Sequence, residues 1–138
     1  MTKILYDMET MKFSTYFEQY TKARVKDCFK ENEIIVFVVM PGSLRKAIGP
    51  GGINVKRISL KLQRQIKILE FDEDVLKFVK KAIFPVKNVE IEQQENNIII
   101  KCPDIKTKGM VFGREKERLK SLISLVKRYF KIDEIKVE

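Results

Sequence analysis

At 138 residues the chain has room for one ordinary domain or two small ones, each with a thin core. Its 28 Lys and Arg against 19 Asp and Glu give a formal charge of +9 and a pI near 9.5, a balance that favours a polyanionic partner. There is no histidine, which excludes Ser/His and Cys/His catalysis and the commonest metal ligands, and Cys28 and Cys102 lack C-x-x-C spacing, so neither a zinc site nor a disulfide framework is indicated.

In chain order, Met8, Met11, Tyr16, Phe17 and Tyr20 recur at helical intervals and predict a first helix over 8–20 with these groups turned inward. The same stripe is also the kind of surface on which bases stack, but core packing is the favoured reading. Two strands follow, 24–29 and 33–40, with a polar turn at Lys30-Glu31-Asn32. The run Ile34-Ile35-Val36-Phe37-Val38-Val39 suits a strand covered on both faces. Pro41-Gly42-Ser43 ends it, and Ser43 is placed to cap a short helix over 44–48.

Then comes Ile48-Gly49-Pro50-Gly51-Gly52-Ile53-Asn54-Val55-Lys56-Arg57-Ile58, which holds three of the six glycines. Gly49 and Gly52 bracket a turn suited to close approach by another molecule's backbone. A helix over 52–63 would direct its unpaired N–H groups and positive dipole end outward from that turn, an arrangement that suits phosphate. On its wheel Val55, Ile58 and Leu62 share one stripe, while Arg57, Lys61 and Arg64 lie opposite. Residues 41–69 carry seven basic side chains (Arg45, Lys46, Lys56, Arg57, Lys61, Arg64, Lys67) and no carboxylate. A strand over 65–71 closes this half, with Ile66 and Ile68 alternating inward.

A shift of 64 residues lays the second half on the first: Ile34-Ile35-Val36 on Ile98-Ile99-Ile100, Gly49 on Gly113, Lys56 on Lys120 and Ile58 on Leu122. The second series is a helix over 72–84 ended by Pro85, strands over 86–93 and 98–102, a short helix over 107–112, a long one over 114–130 and a strand over 134–137. Its turn reads Gly113-Arg114-Glu115-Lys116, with a lysine where the first copy has Gly52 and with Glu115 and Glu117 alongside. Side-chain bulk and carboxylates both disfavour an approaching phosphate there, although Arg114, Lys116, Arg118 and Lys120 remain as point charges. Retention for packing and a weak auxiliary contact to a phosphate backbone stand as equal readings of this second turn.

The spacing from Ile48 to Ile58 closely resembles the signature of the KH family of RNA-binding domains. That resemblance implies an α+β fold of two tandem type II KH domains, 1–71 with an intact GxxG loop and 72–138 with a degenerate one. In each, a three-stranded sheet packs on three helices and the GxxG loop joins two of them. It also implies that the loop clamps about four backbone nucleotides while bases lie in an adjoining apolar groove.

The segments 44–57, 82–87 and 127–132 further resemble the archaeal NusA-related proteins. This implies a transcription termination or antitermination factor acting on nascent single-stranded RNA, with RNA polymerase or transcription-elongation factors as further candidate partners. The expected RNA-binding residues are Arg45, Lys46, Gly49, Pro50, Gly51, Gly52, Ile53, Asn54, Lys56, Arg57 and Lys61, with weaker contacts at Gly113, Arg114, Lys116 and Lys120. Ile53 lies off the packed stripe and is a better base contact than Ile48. Asn54 either reads a base edge or bonds locally at the helix start.

The competing reading is a KH-containing ribosomal or RNA-processing subunit that acts mainly as a docking module. An enzyme is not expected, since the turn matches neither G-x-x-x-x-G-K-[ST] nor G-x-G-x-x-G. No catalytic residue, metal, cofactor or small-molecule substrate is therefore expected. No apolar run approaches the ~20 residues of a bilayer span, and residues 1–20 lack a signal-peptide apolar region. No membrane partner is expected, and a cytoplasmic location is the default.

Overall fold

The computed structural model of the chain describes residues 8–138, so residues 1–7 of the first expected domain lie outside the described residues. The described chain is α+β and divides into two compact units, 8–72 and Glu73–Glu138.

In the first unit the β-branched run forms β2 (Ile34–Val39), the middle strand of three. It pairs antiparallel with β1 (Val25–Glu31) and parallel with β3 (Gln65–Glu70). Ile35 through Val39 are all buried, as a central strand covered on both faces requires. A parallel pair cannot be closed by a tight hairpin and needs a crossover. Here the crossover is α2 (Leu44–Ile48), a 3-10 turn (Pro50–Gly52) and α3 (Ile53–Leu62). The glycine turn is thus the apex of a helical hairpin anchored to the sheet at both ends.

The core of this unit joins Phe17, Cys28, Ile35, Phe37, Val39, Ala47 and Ile58. Phe17 stacks on Phe37 with ring centroids 4.2 Å apart. The inward stripe of α1 (Met8–Thr21) differs from the expected one. Met8 and Met11 are 72% and 53% exposed, while Thr10, Phe17 and Thr21 are buried and Phe13 packs on the core. Met8 lies about 180° from Phe17 at 100° per residue, so the two cannot share a face. The buried hydroxyl of Thr21 is satisfied locally, donating to Phe17 O at 2.8 Å and accepting from Ala23 N–H.

The expected side-chain cap at Ser43 is absent. Ser43 precedes α2 with φ −98° and ψ −4°, makes no capping bond, and accepts from Arg24 N–H at 3.4 Å. Beyond β3, Phe71 N–H donates to Val39 O and Asp74 accepts from Leu76 N–H as the cap of α4 (Val75–Ala82). That cap starts the helix three residues later than expected.

In the second unit β5 (Asn97–Lys101) is central, antiparallel to β4 (Glu90–Gln94) and parallel to β6 (Glu134–Val137). The expected strand from 86 begins only at Glu90, because Val86 N–H turns back to Ile83 O. α5 (Ile105–Phe112) starts earlier than expected, since Asp104 caps Thr107 N–H at 2.7 Å. A 3-10 turn (Arg114–Lys116) and α6 (Glu117–Tyr129) complete the crossover. Phe78 lies fully buried, its ring 5.7 Å edge-on from Tyr129 and 5.6 Å from Phe130. No described helix is long and apolar enough to cross a membrane.

Candidate nucleic-acid interface

Gly49 adopts φ 76° and ψ 167°, and Gly51 and Gly52 follow in the left-handed region at φ 62° and 75°. The first of these conformations is essentially closed to side-chain-bearing residues. A Cβ on Gly49 would also lie 2.8 Å from Asn54 Cγ and Nδ2. At Gly51 and Gly52 the same atom would meet nothing within 4 Å, so the outer rim of the turn is open space.

Three of the amides here are used internally, Gly49 N–H donating to Arg45 O at 2.9 Å. Gly52 N–H donates to Gly49 O at 3.1 Å, and Ile53 N–H donates to Pro50 O. The turn therefore offers an approaching phosphate fewer N–H groups than a bare helix start would.

The expected contact residues lie in the turn and along the two helices that it joins. Pro50 and Gly51 are exposed, Gly52 is half-buried, and Ile53 is 40% exposed while Ile48 is half-buried. Arg45 and Lys46 project from α2, and Lys56, Arg57 and Lys61 from α3, all exposed. Asn54 makes the local bond: its Nδ2 donates to Lys46 O at 2.8 Å, bracing the end of α2 against the start of α3. Arg57 Nη1 donates to the Tyr20 hydroxyl at 3.1 Å. That hydrogen bond, and after it the electrostatic interaction with the same phenol, raises the Arg57 pKa. Arg64, expected on the free stripe of the wheel, instead follows the left-handed Gln63 that ends α3 and approaches Glu9 at 3.7 Å.

The second apex repeats this backbone with only the first of the glycines. Gly113 has φ 71° and ψ 179°, and Glu115 and Lys116 occupy the left-handed region at φ 52° and 62°. The bonds repeat as well, with Gly113 N–H on Gly109 O at 2.9 Å and Lys116 N–H on Gly113 O at 3.2 Å. Arg118 takes the bracing place of Asn54, donating to Met110 O at 3.1 Å. The second turn departs in what it displays: two side chains stand on the open rim, and Lys116 Nζ lies 5.6 Å from the Phe112 ring centroid. Arg114 and Lys120 are exposed beside it.

Sequence reasoning left out Tyr20 as an anchor for Arg57 and Arg118 as a brace. The 64-residue offset between Asn54 and Arg118 was the available signal for the second.

No protein-family model matches the chain. Over 141 residues it is 29% identical to a Methanocaldococcus jannaschii protein named "Probable transcription termination protein NusA", covering 99% of this chain and 76% of that one. A protein of the same name from Methanococcus vannielii is 36% identical over 86 residues, covering 61% of this chain and half of that one. Another from Thermoplasma acidophilum is 26% identical over the whole chain and 98% of its own length. Archaeal NusA-like proteins thus match most of this chain. The fold is shared with the solved chain described as "Crystal structure of APE1850", at a TM-score of 0.77 over 96% of this chain and all of that one, with 21% identity.

Proposed function

We propose that the chain is a single-stranded RNA-binding factor built of two tandem type II KH domains, about 1–71 and 72–138. It acts on nascent RNA in transcription termination or antitermination. The observation that carries this reading is the first apex: an accessible turn at 49–52 whose rim is clear of atoms. Exposed Arg45 and Lys46 on α2 and Lys56, Arg57 and Lys61 along α3 flank it, in a stretch of 29 residues, 41–69, without one carboxylate.

A backbone that approaches the open Cβ positions of Gly51 and Gly52 is not crowded there, and the exposed cations flanking the turn favour its phosphates. Ile53, exposed beside the turn, offers apolar surface to a base. The names of the archaeal relatives support placing this RNA contact in transcription, with RNA polymerase or elongation factors as further partners in a cytoplasmic setting. The reading is non-enzymatic. The second apex has the same backbone but an occupied rim, which supports a subsidiary role for Gly113, Arg114, Lys116 and Lys120.

The test is a titration of the full chain with short single-stranded RNA and matched DNA over a range of salt. A clamp on about four backbone nucleotides should give a log–log salt slope of about −3, at roughly −0.7 per phosphate on a single strand. RNA should bind more tightly than DNA. Equal affinity for the two, or no binding, would overturn the reading.

A further inference from the structure

Beyond the glycine turn, a second surface runs along the seam between α1 and α3. Glu9, Phe13, Tyr16 and Tyr20 recur at i, i+4, i+7 and i+11 and so share one face of α1. Arg57 and Lys61 lie one turn apart on α3, and Arg64 follows just past the helix end. Two contacts hold these faces side by side in antiparallel sense: Arg57 Nη1 to the Tyr20 hydroxyl at 3.1 Å, and Arg64 Nη2 to Glu9 Oε1 at 3.7 Å. Tyr16 and Tyr20 stack at 5.9 Å with an interplanar angle of 20°. Both rings are half-buried, their inner parts packed on the core.

The two α1 carboxylates closest in sequence to this seam are engaged within the chain. Glu9 pairs with Lys30 as well as Arg64, and Glu18 accepts from Val25 N–H at 3.2 Å. Arg57 and Lys61 are left as exposed positive groups beside a pair of stacked phenols. A guanidinium pinned through one N–H is a preset plane, and aromatic rings and arginine planes are the two surfaces on which unpaired RNA bases stack. Arg57 lies one helical turn beyond Ile53, about 6 Å along the axis, within reach of a nucleotide adjacent to one held at the helix start.

We propose that this seam is a second contact for the same RNA strand. One base outside the turn stacks at the Arg57–Tyr20 corner against the tyrosine pair, and Lys61 takes the neighbouring phosphate. The inference rests on the RNA-binding reading of the turn and extends the footprint past it.

The test compares a four-nucleotide and a ten-nucleotide single-stranded RNA on the full chain at fixed salt. Tyr16→Leu/Tyr20→Leu should weaken the longer RNA by about 5- to 150-fold, the range for loss of one stacked base, and leave the shorter within twofold. Tyr20→Phe keeps the ring and removes the arginine anchor, so a smaller loss, again confined to the longer RNA, is expected.

On the wild-type chain, photocrosslinking of a 5-bromouridine-substituted ten-nucleotide RNA should place adducts on peptides containing Tyr16 or Tyr20. That measurement needs no variant to fold. Adducts confined to the glycine-turn peptide, or equal losses on both RNA lengths, would overturn the seam contact while the turn reading stands. Failure of the wild-type chain to bind either RNA would overturn both.

Discussion

Gly49→Ala perturbs the apex at the point where its geometry is least tolerant. The backbone there, at φ 76° and ψ 167°, costs an L-residue about 1–3 kcal/mol. The new Cβ would stand 2.8 Å from Asn54 Cγ and Nδ2 and 3.1 Å from Ile53 Cγ2. Asn54 must then swing away and release its 2.8 Å bond to Lys46 O, a further loss of about 1 kcal/mol. The expected destabilisation of the first unit is therefore about 2–4 kcal/mol. Gly51→Ala provides the control: it is also left-handed, but its Cβ meets open space, so its cost should stay near 1 kcal/mol.

Peptide-resolved hydrogen exchange over α2 and α3, together with urea midpoints, reads both variants in the intact chain. A double-mutant cycle with Asn54→Ala sharpens the comparison, because once Asn54 has been displaced its removal should cost less than in the wild type. Equal destabilisation by Gly49→Ala and Gly51→Ala would refute the claim that the Asn54 brace and the Gly49 backbone conformation depend on each other.

Two further outcomes follow from the second unit. Glu115→Gly/Lys116→Gly relieves two left-handed side-chain residues, at about 1 kcal/mol each, against a similar entropic cost of glycine in the unfolded chain. Stability should change by less than about 1 kcal/mol, measured as a thermal midpoint, while affinity for single-stranded RNA rises because the rim is cleared. Asp104 is held below the usual carboxylate range, first by the Thr107 backbone N–H and then by its side chain. A lowered folded-state pKa means that its stabilising contribution is present above about pH 4 and is lost as pH falls through the folded value. Asp104→Asn, which can cap without titrating, should flatten that acid-side fall in thermal midpoint, whereas Asp104→Ala should lower the midpoint at pH 7.

Much of the fold could be read from residue types because local and global preferences agree. The β-branched run of β2 has a single plausible fate, and the 64-residue repeat carries element order from one half to the other. What could not be read depends on tertiary partners. Residue type alone turns the Met side chains of α1 inward, whereas Thr10 and Thr21 hold the buried places, the Thr21 hydroxyl satisfied by Phe17 O.

Ser43 precedes a helix, yet its hydroxyl is directed to Arg24 N–H, nineteen residues away. At the second apex, nothing in Glu115 or Lys116 as residue types announces a left-handed backbone. Their conformation is imposed by the repeated hydrogen bonds on either side. The expected contact set around Gly49 to Gly52 was legible because glycine spacing and excluded carboxylates are properties of sequence. The internal use of the Gly52 and Ile53 amides was not.

The central claim is that the first apex grips RNA and the second does so only weakly. Pro50→Asp/Gly51→Asp tests it most directly, because both positions are exposed, the Cβ site at Gly51 is clear, and aspartate tolerates the left-handed region. Fluorescence titration with single-stranded RNA at fixed salt should show a loss of at least about 30-fold for this variant, through repulsion and lost phosphate contacts. Arg114→Asp at the second apex should change affinity by less than about 3-fold, the share of one exposed phosphate contact. Unchanged binding by the first variant, or an equal loss from the second, would contradict the account.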